Sequence, residues 1–238
     1  MTQPKRVLRK IGKFLAYTVA LVAVVLTIAH FAWKYSGTSE WKLWRDKKGV
    51  AIYTMKVPGE TKLQFKVVTR FKATLHQAVA SMTDTSTEGC QHFVTGCISG
   101  KVFNDFDEKD LNYIQAYRIA FPERAYLKDV AFVNEVKFTR IPETNTLVAT
   151  LRAVPELIPD DDCCIPMTEL HNVWRFTPVG NGMLELVYTE HDNPPVPYWM
   201  YNRALPINHT WMRKNAEEVF NKEKYKNARF AFLKEFGV

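Results

Sequence analysis

Four cysteines, Cys90, Cys97, Cys163 and Cys164, are the most reactive side chains among these 238 residues. None stands in a C-x-x-C pair, so the spacing of zinc ribbons and thioredoxin-type redox centres is missing. Cys90 and Cys97 enclose a short spacer ending in Gly96, and they are the pair expected to bond if that spacer doubles back to bring the Cα atoms within about 7 Å. Four cysteines permit three pairings, and free, partly buried thiols are the alternative. Asp160-Asp161-Asp162 lies beside Cys163-Cys164, but consecutive carboxylates diverge unless a loop wraps an ion, so a solvated acidic loop is expected and no metal. His76, His92, His171, His191 and His209 are scattered without an H-E-x-x-H pair, and there is no G-x-S-x-G, Gly-rich phosphate loop or dinucleotide fingerprint. Glu190-His191-Asp192 comes closest to an acid–base cluster, yet it precedes Pro194-Pro195, where a turn would expose polar residues anyway. Asn208-His209-Thr210 matches a glycosylation sequon at a helix start rather than in a loop. These residues call for no enzyme and no cofactor.

The net charge of +7 suggests nucleic acid until its distribution is considered. Residues 1–13 carry Lys5, Arg6, Arg9, Lys10 and Lys13 and no acid. Setting those five aside leaves 27 basic against 25 acidic residues, without the basic surface that a nucleic-acid partner would require. Residues 14–33 are an uncharged apolar run of roughly 30 Å as a helix, the thickness of a bilayer core. Tyr17 and Trp33 suit its interfaces, and the preceding cations place the N-terminus in the cytoplasm and the rest outside it, in the periplasm of a bacterium. A signal peptide cleaved near Thr27-Ile28-Ala29 is the alternative, although the apolar run is long for one. Residues 34–40 form a linker and residues 41–238 the folded domain.

In that domain, Trp41 to Asp46 reads as a short helix. Val50–Val57 and Lys62–Lys72 read as a hairpin, the second strand alternating apolar Leu63, Phe65, Val67 and Phe71 with charged or polar neighbours. A short helix over Leu75–Met82 follows, and residues 90–100 are ambiguous. Further strands are expected over 101–106, 111–119, 129–139, 146–154, 171–178 and 183–190, with Gly180-Asn181-Gly182 as a hairpin turn. Pro155–Met167 is a proline-rich loop. About eight consecutive strands with one helical interruption define an α+β antiparallel fold rather than a βαβ one. From Ile207 the chain reads as one long amphipathic helix, with Trp211, Met212, Ala216, Val219 and Phe220 on its apolar face. That bulky face needs a broad partner.

Several motifs fall in register: Trp41-x-x-Trp44-x-Asp46-x-x-Gly49-Val50-x-Ile52-Tyr53, Phe65-Lys66, Asp84, Tyr117-x-x-x-Phe121-Pro122, Lys128-Asp129, Trp174-x-Phe176-x-Pro178, Tyr188, Asp192-Asn193-Pro194, Val196-Pro197-Tyr198-Trp199-Met200 and Asn202. Together they resemble the START (lipid-transfer) domain family in its membrane-anchored form. The resemblance implies a helix-grip fold, in which a curved antiparallel sheet forms a tunnel closed by the C-terminal helix over a lipid or sterol-like molecule. Lys128-Asp129 replaces the family's Arg-Asp pair, and a second arginine is missing where Cys164-Ile165-Pro166 stands, so no particular ligand carries over. On this reading Trp199, Met200, Trp211, Met212, Val219 and Phe220 form one wall of an apolar cavity and Tyr117, Phe132, Trp174 and Tyr188 the opposite wall. Arg118, Arg152 or the hydroxyls of Tyr117 and Tyr188 would supply a polar anchor. The expected partners are a hydrophobic small molecule and the membrane, with no nucleic acid. The alternatives are a helix-grip enzyme using the same cavity and an interaction domain with a filled core.

Overall fold

The computed structural model describes residues 3–94, 96–120, 128–157, 163–208 and 211–234, except for the side chains of 3–9, 205–208, 211–215 and 234. Two compact units emerge: Met1–Glu40 with Lys56–Thr61, and Trp41–Met55 with Lys62–Val238.

The first unit is built on helix α1 (Gln3–Tyr35). Its Lys10–Tyr35 segment, with mean hydropathy 2.2, is long and apolar enough to cross a bilayer. Thr18 and Thr27 return their hydroxyl protons to the Phe14 and Ala23 carbonyls, so the helix satisfies them internally. At its C-terminal end the ammonium of Lys56 donates to the carbonyls of Lys34, Ser36, Val57 and Glu60 at 2.6–3.3 Å. It lies 5.4 Å from the centre of the Trp33 ring, and the Trp33 indole donates to Thr61 O at 2.7 Å. A cation is favoured there because the last helical carbonyls have no partners of their own. Gly37 has φ +106°, and a Cβ on it would meet Lys56 O at 2.3 Å, so this close approach requires glycine.

The second unit is α+β and has the helix-grip architecture. Its strands are β1 (Lys42–Lys47), β2 (Val50–Met55), β3 (Gln64–Lys72), β4 (Cys97–Asp107), β5 (Asn112–Ile119), β6 (Asp129–Ile141), β7 (Thr146–Ala153), β8 (Cys164–Pro166), β9 (Leu170–Pro178) and β10 (Met183–Asp192). They form one sheet in the order β1-β2-β3-β10-β9-β7-β6-β5-β4, antiparallel except for β8, which pairs in parallel with the start of β6. The helices are α2 (Leu75–Met82), α3 (Thr87–Phe93), α4 (Tyr198–Asn208), α5 (Trp211–Phe220), α6 (Glu223–Lys226) and α7 (Ala231–Lys234).

Three expectations are corrected. Trp41 to Asp46 does not form a helix: residues 42–47 are edge strand β1, joined to β2 through Lys48 and Gly49, both at positive φ as a two-residue hairpin turn demands. Every residue of β1 is exposed, so no alternation marks it in the sequence. Within the proline-rich 155–167 stretch, Cys164–Pro166 is a strand, while Asp160–Asp162 lies outside the described residues. The C-terminal helix does not run on from Ile207: it stops at Phe220 and is followed by the short α6 and α7, and Pro206 lies within α4. At Asn221 the side chain donates to Lys72 O and accepts from Gln77, and Lys222 turns extended, which ends α5.

Local chemistry fixes the two short helices over the sheet. Thr74 and Gln77 form a reciprocal capping box at the start of α2, and the Ser86 hydroxyl accepts from Gly89 N at the start of α3. Tyr113 of β5 is fully buried and donates to Met82 O at the end of α2. Phe220 of α5 is 1% exposed. It stacks on Phe71 at 4.8 Å and meets Phe176 and Phe93 edge-on or tilted at 5.6 and 5.9 Å.

Candidate ligand-binding cavity

A cavity of about 100 Å³ lies between the α2–α3 corner and the inner face of the sheet. Strand alternation builds its walls. Leu151, Asn172 and the pair Trp174–Tyr188 sit in register across β7, β9 and β10. Tyr113 and Tyr117 come from β5, and Cys90 and Phe93 from α3. Aromatic contacts hold the walls: the Trp174 and Tyr188 ring centres are 4.4 Å apart, Phe93 meets Trp174 edge-on at 5.6 Å, and Tyr117 stacks on Phe132 at 4.7 Å.

One side of the cavity is backed by polar groups. The Tyr188 hydroxyl donates to Glu190 Oε2 at 2.7 Å, and the Tyr201 hydroxyl reaches Glu190 Oε1 at 3.3 Å. Asn172 Nδ2 donates to Asp192 Oδ2 at 3.4 Å, and Asn134 Nδ2 donates to the Tyr117 hydroxyl at 3.2 Å. Burial and then the neighbouring Glu190 push the Asp192 carboxyl well above the usual carboxylate range. Burial, and next the two carboxyls, also raise the Tyr117 and Tyr188 hydroxyls far above their ordinary values, so both stay protonated donors.

The outer side of α3 is held by charge. Glu88 receives Lys222 at 2.8 Å and Lys224 at 2.9 Å, and Lys224 also reaches Asp84 at 2.7 Å. Those lysines pull Glu88 down to about 2. Burial works to raise Asp84, but bonds from Lys224, Ser86 and Tyr225 outweigh it and hold its carboxyl well below the ordinary range.

Cys90 is bonded to Cys97 with Cα atoms 6.1 Å apart, which ties α3 to the start of β4, and Cys163 is bonded to its neighbour Cys164. Of the residues assigned to the walls, Tyr117, Trp174 and Tyr188 line the cavity and Phe132 stacks behind Tyr117. Trp199, in the first turn of α4, is 65% exposed and is not among the residues that line this cavity. Met200 is half-buried and outside the lining. Val219 and Phe220 are buried and are not among the residues that line this cavity, and Phe220 packs among the Phe71, Phe176 and Phe93 rings. The side chains of Trp211 and Met212 lie outside the described residues. Arg118 pairs with Asp129 at 2.8 Å, and Arg152 pairs with Glu135 on an exposed face.

The polar residues Asn134, Asn172, Glu190, Asp192 and Tyr201 were not expected at this site. Extending the inward alternation Leu184, Leu186, Tyr188 by four residues would have found Glu190 and Asp192. The prolines at 194 and 195 made them look like an exposed turn, but β10 continues to Asp192.

The sheet topology and the helices laid over it are those of the START, or STAR-related lipid transfer, fold. A STAR-related lipid transfer protein from Xanthomonas axonopodis superposes with a TM-score of 0.67 at 16% identity, over 76% of this chain and 99% of that one. Human STARD10 gives 0.64 at 12% identity, over 82% and 78% of the two chains. Human StAR-related lipid transfer protein 5 gives 0.58 at 14%, over 89% and 97%. These superpositions, at such low identity, establish a shared fold and nothing finer. An uncharacterized protein of Pseudomonas aeruginosa is 26% identical over 174 residues, 71% of this chain and 82% of that protein. No model of a known protein family matches the sequence.

Proposed function

We propose that this protein is a membrane-held carrier that binds one lipid or other hydrophobic molecule inside residues 41–238. The observation that carries this reading is an aromatic-walled cavity, backed on one side by polar groups, in a START fold. Residues 14–33 serve as a single-pass anchor behind the cytoplasmic residues 1–13, with 34–40 as linker and the domain on the non-cytoplasmic side. Binding alone accounts for this site; no cofactor, catalytic step or nucleic acid enters the reading.

The cavity holds about 100 Å³, well below the few hundred Å³ of small-molecule sites, so on this reading it must enlarge to take a ligand. A long chain is admitted when α3 swings from the C-terminal segment. That motion is opposed by the Phe93 contacts with Phe220 and Trp174, by the Cys90–Cys97 bond that keeps α3 on β4, and by the ion pairs of Lys222 and Lys224, in which Glu88 is 60% exposed. Exposed pairs of this kind are weak and screened by salt. The gain is roughly 0.8 kcal/mol for each methylene taken from water.

Native mass spectrometry of the full-length protein extracted from membranes tests the proposal. The parent should carry one apolar molecule, and Leu151→Trp, which fills the cavity, should carry none. A parent that arrives empty and takes up no fluorescent lipid from vesicles sinks the carrier reading. A reporter fused after Val238 should be active only outside the cytoplasm, and activity inside would overturn the orientation.

A further inference from the structure

Resting on the anchor at residues 14–33 and not on the ligand, we propose that edge strand β1 is a bilayer-docking surface. It lays Lys42, Arg45, Lys47 and Lys48 against anionic lipid headgroups and sets Leu43 and Trp44 among them. Residues 41–238 hold 26 basic and 24 acidic residues, a net charge of +2. Residues 42–48 alone hold four basic residues and one acid, a net charge of +3. The positive excess of the whole domain is therefore gathered on this strand and its turn. Every residue of β1 is exposed, and so is Lys48. Among the described residues, none of these four cations makes an ion pair.

Cations alone would have a plainer role, since lysine on an edge strand guards it against pairing with another chain. Leu43 and Trp44 do the opposite. They are 56% and 44% exposed, and apolar surface on an open edge invites a partner. The register passes from Leu43 opposite Tyr53 to Arg45 opposite Ile52, which leaves Trp44 as the extra residue of a bulge. A bulge bends its strand and re-aims a side chain. The Arg45 guanidinium lies 6.0 Å from the centre of the Trp44 ring, so an indole and a cation are presented together. Such a pair suits the headgroup level of a bilayer, where one end of a side chain is apolar and the other wet.

The tether selects the occupant. Lys42 follows Tyr35, the last residue of α1, by seven positions, at most about 25 Å of extended chain. Strand β2, the partner of β1, ends at Met55, and the next residue is Lys56, whose ammonium donates to the Lys34 carbonyl in the last turn of α1 at 3.1 Å. A strand tethered this closely meets the bilayer at a far higher effective concentration than it meets a dissolved partner. A second copy of the chain suits the edge poorly, because two β1 strands side by side would set four cations against four.

Amide hydrogen exchange of the full-length protein tests the proposal, in nanodiscs of phosphatidylcholine alone and of phosphatidylcholine with phosphatidylglycerol. Exchange over 42–48 should be about five- to thirtyfold slower on the anionic discs, the gain of one or two cations at a charged surface. Salt at about 0.5 M should remove the difference, and exchange in β3 should be the same on both discs. Lys42→Gln, Arg45→Gln and Lys47→Gln together change only exposed side chains and leave the turn at Lys48 and Gly49 intact. That triple variant should keep the parent's circular dichroism spectrum and lose the protection. The proposal alone is overturned if the two discs give equal exchange over 42–48, or if the triple variant stays protected. Protection seen only with two copies in a disc overturns it as well, since the second copy would then be the occupant. A chain that does not stay with the discs on gel filtration overturns the anchor and this proposal with it, whereas lipid uptake bears on the carrier reading alone.

Discussion

Phe220→Ala separates a packed lid from a cavity wall. Phe220 is 1% exposed, and three rings close around it: Phe71 at 4.8 Å, Phe176 at 5.6 Å and Phe93 at 5.9 Å. Truncating a phenylalanine in a tight core costs about 3–5 kcal/mol, with the higher values where neighbours cannot collapse into the gap. Aromatic pairs add about 0.5–1.5 kcal/mol each beyond their area, though not additively when they share a ring. Phe71 and Phe176 are held on strands and cannot follow the lost ring, so a loss of about 4 kcal/mol is expected. Against a total of roughly 5–15 kcal/mol, that is a large part of the stability. If the ring instead faced open volume, the cost would be nearer the transfer of its area alone, about 1.5–3 kcal/mol. Urea titration of full-length parent and variant in nanodiscs, followed by near-ultraviolet circular dichroism and tryptophan fluorescence, should show a lower midpoint at an unchanged slope. A loss below about 1.5 kcal/mol would refute the packed-core placement of Phe220. A changed slope would show that α5 detaches separately from the sheet.

Gly89→Ala should destabilise the α3 corner, because a Cβ there would meet Asp84 O at 2.0 Å and backbone must shift. Faster amide exchange in 84–94 would register it, and exchange equal to the parent's would contradict the geometry. Acid should release the contact between α3 and the C-terminal segment. Asp84 and Glu88 ionise more easily in the folded chain than in the unfolded one, so their contribution is full above the unfolded values near 4 and is lost as pH falls towards about 2. Asp84→Asn should therefore flatten the fall of Tm below pH 3.8, and a slope equal to the parent's would count against the pairing. Asp192 carries the opposite sign: its raised value favours the fold at low pH and opposes it as pH rises. Asp192→Asn should reduce the loss of Tm as pH rises above the ordinary carboxylate value of 3.8, and an unchanged slope there would show that the acid is solvated.

Period and composition were sufficient for much of this protein. The apolar run at 14–33 needs only its length and lack of charge to form a helix that can span a bilayer. Strands β3, β9 and β10 alternate so regularly that their inward faces, and hence Trp174 and Tyr188 in the cavity wall, follow from a period of two. The START resemblance rested on motifs spread over those same elements, and the fold agrees with it.

Other features depend on tertiary contacts that no local pattern encodes. Strand β1 has no buried face, and only its pairing with β2 makes it a strand. An amphipathic period reports one apolar stripe but not where the stripe ends. The interruption after α5 exists because Asn221 bonds to Lys72 and Gln77, residues more than a hundred positions away. Whether Phe220 faces a ligand or a core depends on the Phe71 and Phe176 rings from other strands. Glu190 and Asp192 read as surface residues by type, since carboxylates are rarely buried unless partnered. Their partners Tyr201, Asn172 and Tyr188 arrive only when β9, β10 and α4 come together, and that assembly turns two ordinary acids into the polar backing of a cavity.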